Sequence, residues 1–117
     1  MFAYEIPNLR FSLPAGGAVA LHRFVAVADE KAIQATATTH IIGASRNEVT
    51  ANEIAANDRI VEIADGIVMV EAAGAITSGA AVYANAEGKA TATGTVIAGV
   101  AITAATGAGQ IIAVKIN

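Results

Sequence analysis

At the centre of the chain stands the stretch Ile60-Val61-Glu62-Ile63-Ala64-Asp65-Gly66-Ile67-Val68-Met69-Val70-Glu71. Two alternating apolar runs flank Asp65-Gly66, and this dipeptide readily supplies the positive φ that a type I′ turn requires. The pattern predicts a two-residue β-hairpin in which Ile63 lies opposite Val68. A slip of one residue would turn Glu62 inward, so the register is strongly specified.

On either side of this stretch the sequence repeats itself. Residues 31–43 and 89–99 each read lysine, an alternating Ala/Thr run, an apolar stretch and then glycine. Each passage is followed, after a connection, by a strand-like segment with one charge near its end, at 60–63 and 112–116. Two copies of a short strand–turn–strand unit predict a closed, pseudo-symmetric β domain.

The predicted fold class is all-β. Short strands punctuated by glycine turns favour a small barrel, or a β-tulip or sandwich, with an internal pseudo-repeat. Ser45-x-x-Glu48 has the form of a helix capping box, so one short helix is predicted near 46–56. This 45–58 segment is an insertion relative to the second copy of the repeat.

Residues 1–17 differ in composition from the rest of the chain. They hold both prolines and three of the five aromatic residues, and they end in Gly16-Gly17. Proline-rich extended segments resist helices and central strands. We therefore predict an extended N-terminal arm over 1–17 and a single β domain over 18–117. The arm either docks on a neighbour or forms a first strand laid over its own domain.

On the first of these alternatives, the arm carries the partner interface. Its candidate residues are Phe2, Tyr4, Ile6, Leu9, Phe11 and Leu13. Removal of residues 1–14 is then expected to leave the domain folded and to weaken its attachment.

The composition favours a protein that works against a partner. Charged residues make up 15% of the chain and apolar residues 55%, whereas about 25% charged residues is usual. A free monomer normally needs interspersed charge for solubility. The alternative is a well-packed monomer with a bland surface.

The net charge and the amino-acid composition also argue against several classes of partner and site. The net charge is −3 and there is no basic cluster, which argues against nucleic-acid binding. The absence of cysteine excludes disulfides and thiolate sites, and it fits synthesis in the cytoplasm. Residues 1–7 lack the pattern of a signal peptide. Residues 90–114 carry no charge, but their threonines and glycines favour two soluble strands and a turn over a membrane span.

No catalytic or metal-binding constellation is evident. Ser12, Ser45 and Ser78 lie outside any Gly-x-Ser-x-Gly elbow. His22 and His40 fall in predicted strands and would bind a metal only with a third ligand. We therefore predict no enzymatic activity, no cofactor and no metal site.

The second half of the chain resembles a known family. The similarity covers residues 60–117 well and 17–45 more loosely, and it rests on Gly66-Ile67-Val68-Met69-Val70-Glu71, Ile76-Thr77-Ser78-Gly79-Ala80-Ala81-Val82-Tyr83, Glu87-Gly88-Lys89, and Ile97-Ala98-Gly99-Val100-Ala101-Ile102. In these units the chain resembles the bacteriophage capsid decoration proteins, also labelled head cement or capsid fibre proteins. The 45–58 insertion and the aromatic arm depart from the family pattern.

The resemblance implies a structural role. Such proteins bind the outer surface of the mature capsid, contact the major capsid protein, and bridge capsomers to stabilise the head. It implies a homotrimer, with a dimer as the alternative, located on the virion after synthesis in the host cytoplasm.

Two other hypotheses remain open. One is a different self-assembling virion or surface subunit, such as a tail or fibre module. The other is a β barrel that binds a small ligand or carbohydrate. A barrel of that kind needs aromatic platforms, and only Phe24 and Tyr83 lie outside the arm.

Overall fold

Nine strands form one sheet in the computed structural model, which describes residues 6–56 and 59–117. The elements are β1 (Ile6–Pro14), β2 (Phe24–Ala28), β3 (Lys31–Gln34), β4 (Gly43–Ser45), α1 (Ala51–Ala56), β5 (Ile60–Glu71), β6 (Ala81–Ala84), β7 (Ala90–Thr91), β8 (Ile97–Ala101) and β9 (Ile111–Ile116). The strand order is β3-β2-β4-β5-β9-β8-β6-β7, with β1 paired to β5. The predicted all-β class is confirmed: the sheet curls into a half-barrel with one short helix.

The central stretch is a single strand of 12 residues, so the predicted hairpin is wrong. The first half of β5 pairs with β1 and β4, and the second half pairs with β9. Ile63 therefore lies opposite Phe11 of β1 and not opposite Val68. Gly66, with φ of 112°, lies where the partners of β5 change. The positive φ that the sequence indicated is present, but long-range pairing prevails over the local turn.

The predicted internal repeat is visible in the pairing. A first repeat consists of β1-β5-β4-β2-β3 and a second of β5-β9-β8-β6-β7, with the same order of neighbours. Isolated parallel bridges lie at equivalent places, Ala15 with Ala32 in the first repeat and Ala72 with Ala90 in the second. Strand β5 belongs to both repeats.

Each repeat surrounds a buried apolar cluster. The first cluster contains Val19, Val25, Ala32, Val49, Val61 and Ile63. The second cluster includes Val68, Val70, Ala72, Ile76, Val82, Ala90, Ala105, Ile112 and Val114 of the second repeat. It also takes in Phe24, Ala26, Ala44 and Ala64 of the first repeat. The outer face of the first repeat is thus buried against the second.

Strand β1 is part of this architecture. Its register places Leu13 opposite Val61 and Phe11 opposite Ile63, and both β1 side chains pack against the first cluster. Residues 6–14 thus follow the alternative in which the first strand lies on its own domain. Removal of residues 1–14 would expose the first cluster, so we now expect that truncation to destabilise the fold. The predicted boundary between residues 17 and 18 stays a prediction.

Helix α1 lies within the predicted region, but its cap is a different residue. The Thr50 N–H donates to Glu53 Oε1 at 3.0 Å and the Glu53 N–H donates to Thr50 Oγ1 at 3.3 Å, which is a reciprocal capping box. The hydrogen bond from the Thr50 backbone holds the pKa of Glu53 below its usual value. The predicted cap Ser45 is instead buried in β4, where its hydroxyl donates to the Ala20 carbonyl at 2.7 Å.

Two equivalent glycines allow close strand packing. A Cβ on Gly43 would overlap the carbonyl oxygen of Ala64, and a Cβ on Gly99 would overlap the carbonyl oxygen of Lys115. We expect Gly43→Ala and Gly99→Ala each to lower the free energy of unfolding by about 3 kcal/mol, because the opposing atom belongs to the backbone. Chemical denaturation measures this loss.

Gly107→Ala is the matched control, since an added Cβ there meets no atom within 4 Å. Its stability should stay within about 0.5 kcal/mol of the parent protein. Equal effects at all three positions would show that loss of glycine, and not steric overlap, is responsible.

Candidate functional site

The predicted interface residues that the structure describes lie in different environments. Phe2 and Tyr4 lie outside the described residues, and Ile6 is placed by its backbone pairing with Ile67. Leu9 is 56% exposed. The other two described candidates, Phe11 and Leu13, are half-buried against the first cluster. Among the candidates whose side chains the structure describes, Leu9 is therefore the one that is open to a partner.

Up to its C-terminal end, where Ala15 bridges to Ala32, one edge of β1 has no partner strand among the described residues. In the described part of the chain this strand is laddered to β5 alone, so its other edge presents main-chain donors and acceptors. Leu9, Arg10, Ser12 and Pro14 are exposed on this strand. Proline has no N–H, so Pro14 ends the run of donors. The result is a short edge suited to one added strand.

A polar cluster joins the two repeats at the end of β5. Glu71 accepts from Arg23 Nη2 at 3.1 Å through Oε1, and its Oε2 lies 3.3 Å from Lys89 Nζ. Arg23 precedes β2 of the first repeat and Lys89 precedes β7 of the second. The three side chains are between 15% and 24% exposed, so this network is partly shielded from solvent.

The charges around Glu71 determine its titration. Burial raises the pKa of its carboxyl, but the hydrogen bond from Lys89 and the positive charges of Arg23 and Lys89 outweigh this effect. The pKa of Glu71 is therefore held below its ordinary value. The cluster could not be predicted because its members are distant in the chain. Lys89, the first residue of the second repeated passage, was the one member that the sequence pattern singled out.

Groups suited to catalysis are dispersed. Within residues 6–56 and 59–117, no set of three or more His, Cys, Asp or Glu side chains could hold a metal ion. A cavity of about 90 Å³ is lined by His22, Ser45, Arg46 and Met69. The Ser45 hydroxyl already donates to Ala20 and accepts from the Arg23 N–H at 3.1 Å, so it is not poised as a nucleophile.

The described helix is far too short to cross a bilayer. No helix among the described residues has the length and hydropathy of a membrane span.

Comparison with known proteins gives one family and one fold. A family model described as phage cement protein matches residues 5–116. The structure is similar to the crystal structure of head fiber gp8.5 N base in bacteriophage phi29, with a TM-score of 0.73, 20% identity and coverage of 93% of each chain. At this identity the structural likeness establishes the fold. No curated protein matches the sequence.

Glu71→Gln tests the cluster that joins the repeats. We expect the variant to lose about 1–2 kcal/mol of stability at pH 7, because two partly buried cations lose their anionic partner. The pKa of Glu71 is lower in the folded chain, so its contribution is present above the unfolded value of about 4.3 and lost as the pH falls through the folded value. Denaturation at several pH values should therefore show the two proteins converging in acid.

Glu62→Gln serves as the control, because Glu62 is an exposed carboxylate on the same strand. Its stability at pH 7 should match the parent within about 0.5 kcal/mol. A gap between Glu71→Gln and the parent that stays unchanged as the solution is made progressively more acidic would contradict an electrostatic origin.

Proposed function

Because this chain belongs to the phage cement protein family, we propose that it binds the outer surface of the mature head and bridges neighbouring capsomers. The family match over residues 5–116 carries this proposal. A structural role in capsid decoration follows from the family itself. We propose in addition that the protein lies on the outer surface of the head, bridges its capsomers and stabilises it.

The proposed partner on the head is the major capsid protein, engaged through the open edge of β1. An extended segment added to a sheet edge gains main-chain hydrogen bonds with modest demands on its sequence. Exposed Leu9 supplies an apolar contact beside that edge, with Arg10 and Ser12 as polar neighbours. Phe11 and Leu13, on the same face of β1 as Leu9, pack against the first cluster and hold the strand in place.

Repetition on the lattice makes weak contacts sufficient. A homotrimer, or as an alternative a dimer, presents several copies of the same edge to adjacent capsomers. Once one copy is bound, the next contact is effectively intramolecular and total avidity rises steeply. A ligand that binds only the assembled shell stabilises that shell by mass action, which is how bridging would oppose the pressure of packaged DNA.

Co-sedimentation with empty, expanded heads that lack their own copies tests the proposal. We expect the protein to be synthesised in the host cytoplasm. In the assay, the purified protein should bind such heads saturably, at a fixed number of copies per capsomer. Absence of binding, with the protein forming its own tubes or fibres, would instead favour a tail or fibre module.

Leu9→Asp tests the edge of β1 in the same assay. A charge at this exposed apolar position is expected to weaken head binding about tenfold, equivalent to about 1.4 kcal/mol, and to leave the thermal unfolding temperature within a few degrees of the parent. Leu21→Asp is the matched control, since Leu21 is 41% exposed and lies outside β1. Equal affinity of Leu9→Asp and the parent would exclude this edge as the capsid contact.

A further inference from the structure

The turn that leads into β2 has a counterpart in the second repeat, where it leads into β6. In the first turn the Ser45 N–H donates to the Arg23 carbonyl at 2.9 Å. In the second turn the Ala101 N–H donates to the Ala80 carbonyl at 3.0 Å. Because β2 and β4 pair in the same register as β6 and β8, the two turns can be compared residue by residue.

The two turns differ at the position that has a left-handed backbone. The second repeat has Gly79 there, with φ of 85°, and the first repeat has His22, with φ of 58°. Both residues donate their N–H across the turn, Gly79 at 2.7 Å and His22 at 3.4 Å. His22 thus lies in a turn and not in a strand as predicted, at a place where the other copy has the residue that the backbone favours.

Several hydrogen bonds hold His22 in this uncommon conformation. The Ser45 hydroxyl donates to the Ala20 carbonyl at 2.7 Å and accepts from the Arg23 N–H at 3.1 Å, so it fixes the chain on both sides of His22. The Glu71 N–H donates to the His22 carbonyl at 2.9 Å. Strained residues persist where the surrounding structure holds them, and they cluster at sites that bind ligands.

His22 lies at a cavity whose polar lining is absent from the second repeat. The cavity has a volume of about 90 Å³ and is lined by His22, Ser45, Arg46 and Met69. The residues at the equivalent positions of the second turn and of β8 are Gly79, Ala101 and Ile102. The same backbone therefore forms without an imidazole or a guanidinium, so the fold alone does not explain these two side chains.

The size and lining of the cavity suit one small anionic group. Water occupies about 30 Å³ per molecule in the liquid, so the cavity has room for about three waters, or for one carboxylate or phosphate group. Arg46 already interacts within the chain, but a guanidinium has five N–H donors, which is more than one partner takes up. The hydroxyl of Ser45 is engaged with the turn, so the donors available to a ligand are those of His22 and Arg46.

The charges beside the cavity favour an anion. Glu71 lies two residues from Met69 on the same face of β5, and it is shared by two cations, so that cluster carries a net positive charge. One of these cations, Arg23, has its Nε buried without a hydrogen-bond partner in the described part of the chain. The nearby carboxylate of Glu62 is exposed, so solvent screens its charge.

From this comparison of the two repeats we propose that the cavity is a binding site for a small oxyanion, held by His22 and Arg46. The left-handed turn places the histidine at the cavity, and Ser45 holds the turn in position. The oxyanion is either a free anion or the carboxylate of an acidic side chain on a bound partner. Binding of the free anion does not depend on attachment to heads, so it can be measured on the isolated chain.

Titration of the full chain with inorganic phosphate, and separately with acetate, is the first test. Two-dimensional NMR should show saturable shifts confined to residues near 20–23 and 45–46. Arg46→Ile, which introduces the residue type of the second repeat, should weaken phosphate binding about tenfold or more, because a charged hydrogen bond is lost. His40→Ala is the control, since His40 is an exposed histidine, and it should bind as the parent. Absence of saturable shifts with both anions would overturn the proposal.

His22→Gly separates ligand binding from a structural role. Glycine adopts this backbone readily, so the variant should unfold within a few degrees of the parent, while its affinity for phosphate falls about tenfold or more. Gly79→His is the matched control, because a Cβ there meets no atom within 4 Å; it should leave phosphate binding unchanged. A His22→Gly variant that unfolds at a lower temperature and binds phosphate as the parent does would assign His22 a structural role and refute the site.

Co-sedimentation of His22→Gly with heads identifies the source of the oxyanion. Head binding equal to that of the parent, together with lost phosphate binding, indicates a free anion as the ligand. Weaker head binding indicates that an acidic side chain of the capsid partner occupies the cavity. Because the phosphate titration contains no heads, a failure of head attachment by the parent would count against the proposed function alone.

Discussion

The structure depends on one strand serving two repeats. In β5 the side chains of Val61 and Ile63 enter the first cluster, while Val68 and Val70 enter the second. Alternation along a strand sends odd and even residues to opposite faces, so a single strand can support a core on each side. Burial of each such side chain contributes about 1.5–3 kcal/mol. A shift of one residue would misplace both cores together.

Much of this repeat architecture could be predicted because both copies consist largely of small residues, and some of these residues cannot be replaced by larger ones. The lysines and glycines that opened and closed the two passages occupy equivalent places, and Gly43 and Gly99 are both required for close strand approach. The hairpin at Asp65-Gly66 was mispredicted because a turn preference is local. The ladder over both halves of β5 involves many hydrogen bonds and prevails over it.

The helix cap illustrates the same competition. Ser45-x-x-Glu48 and Thr50-x-x-Glu53 have equal claims as sequence patterns, and the structure uses the second. Ser45 is removed from solvent between β2 and β5, where its hydroxyl satisfies backbone groups. A partner for that hydroxyl becomes available only through tertiary contacts.

The candidate contact surface was harder to predict, since apolar residues of one strand serve different purposes. Phe11 and Leu13 have the same chemistry as Leu9, but they complete the first cluster while Leu9 is exposed. The amino-acid composition of β1 cannot distinguish an apolar residue that packs in the core from one that is exposed to a partner. Likewise, Arg23, Glu71 and Lys89 come from separate parts of the chain, and only the topology brings them together.

Sharing β5 also has a consequence for the rate of folding. Because this strand lies midway along the sequence, every described strand pairs with a partner inside its own repeat, and no ladder within residues 6–56 and 59–117 joins the first quarter of the chain to the last. Relative contact order is therefore lower than a single closed barrel of the same length would have, and loop closure costs less entropy. An all-β chain arranged in this way is expected to fold faster than its strand number alone suggests.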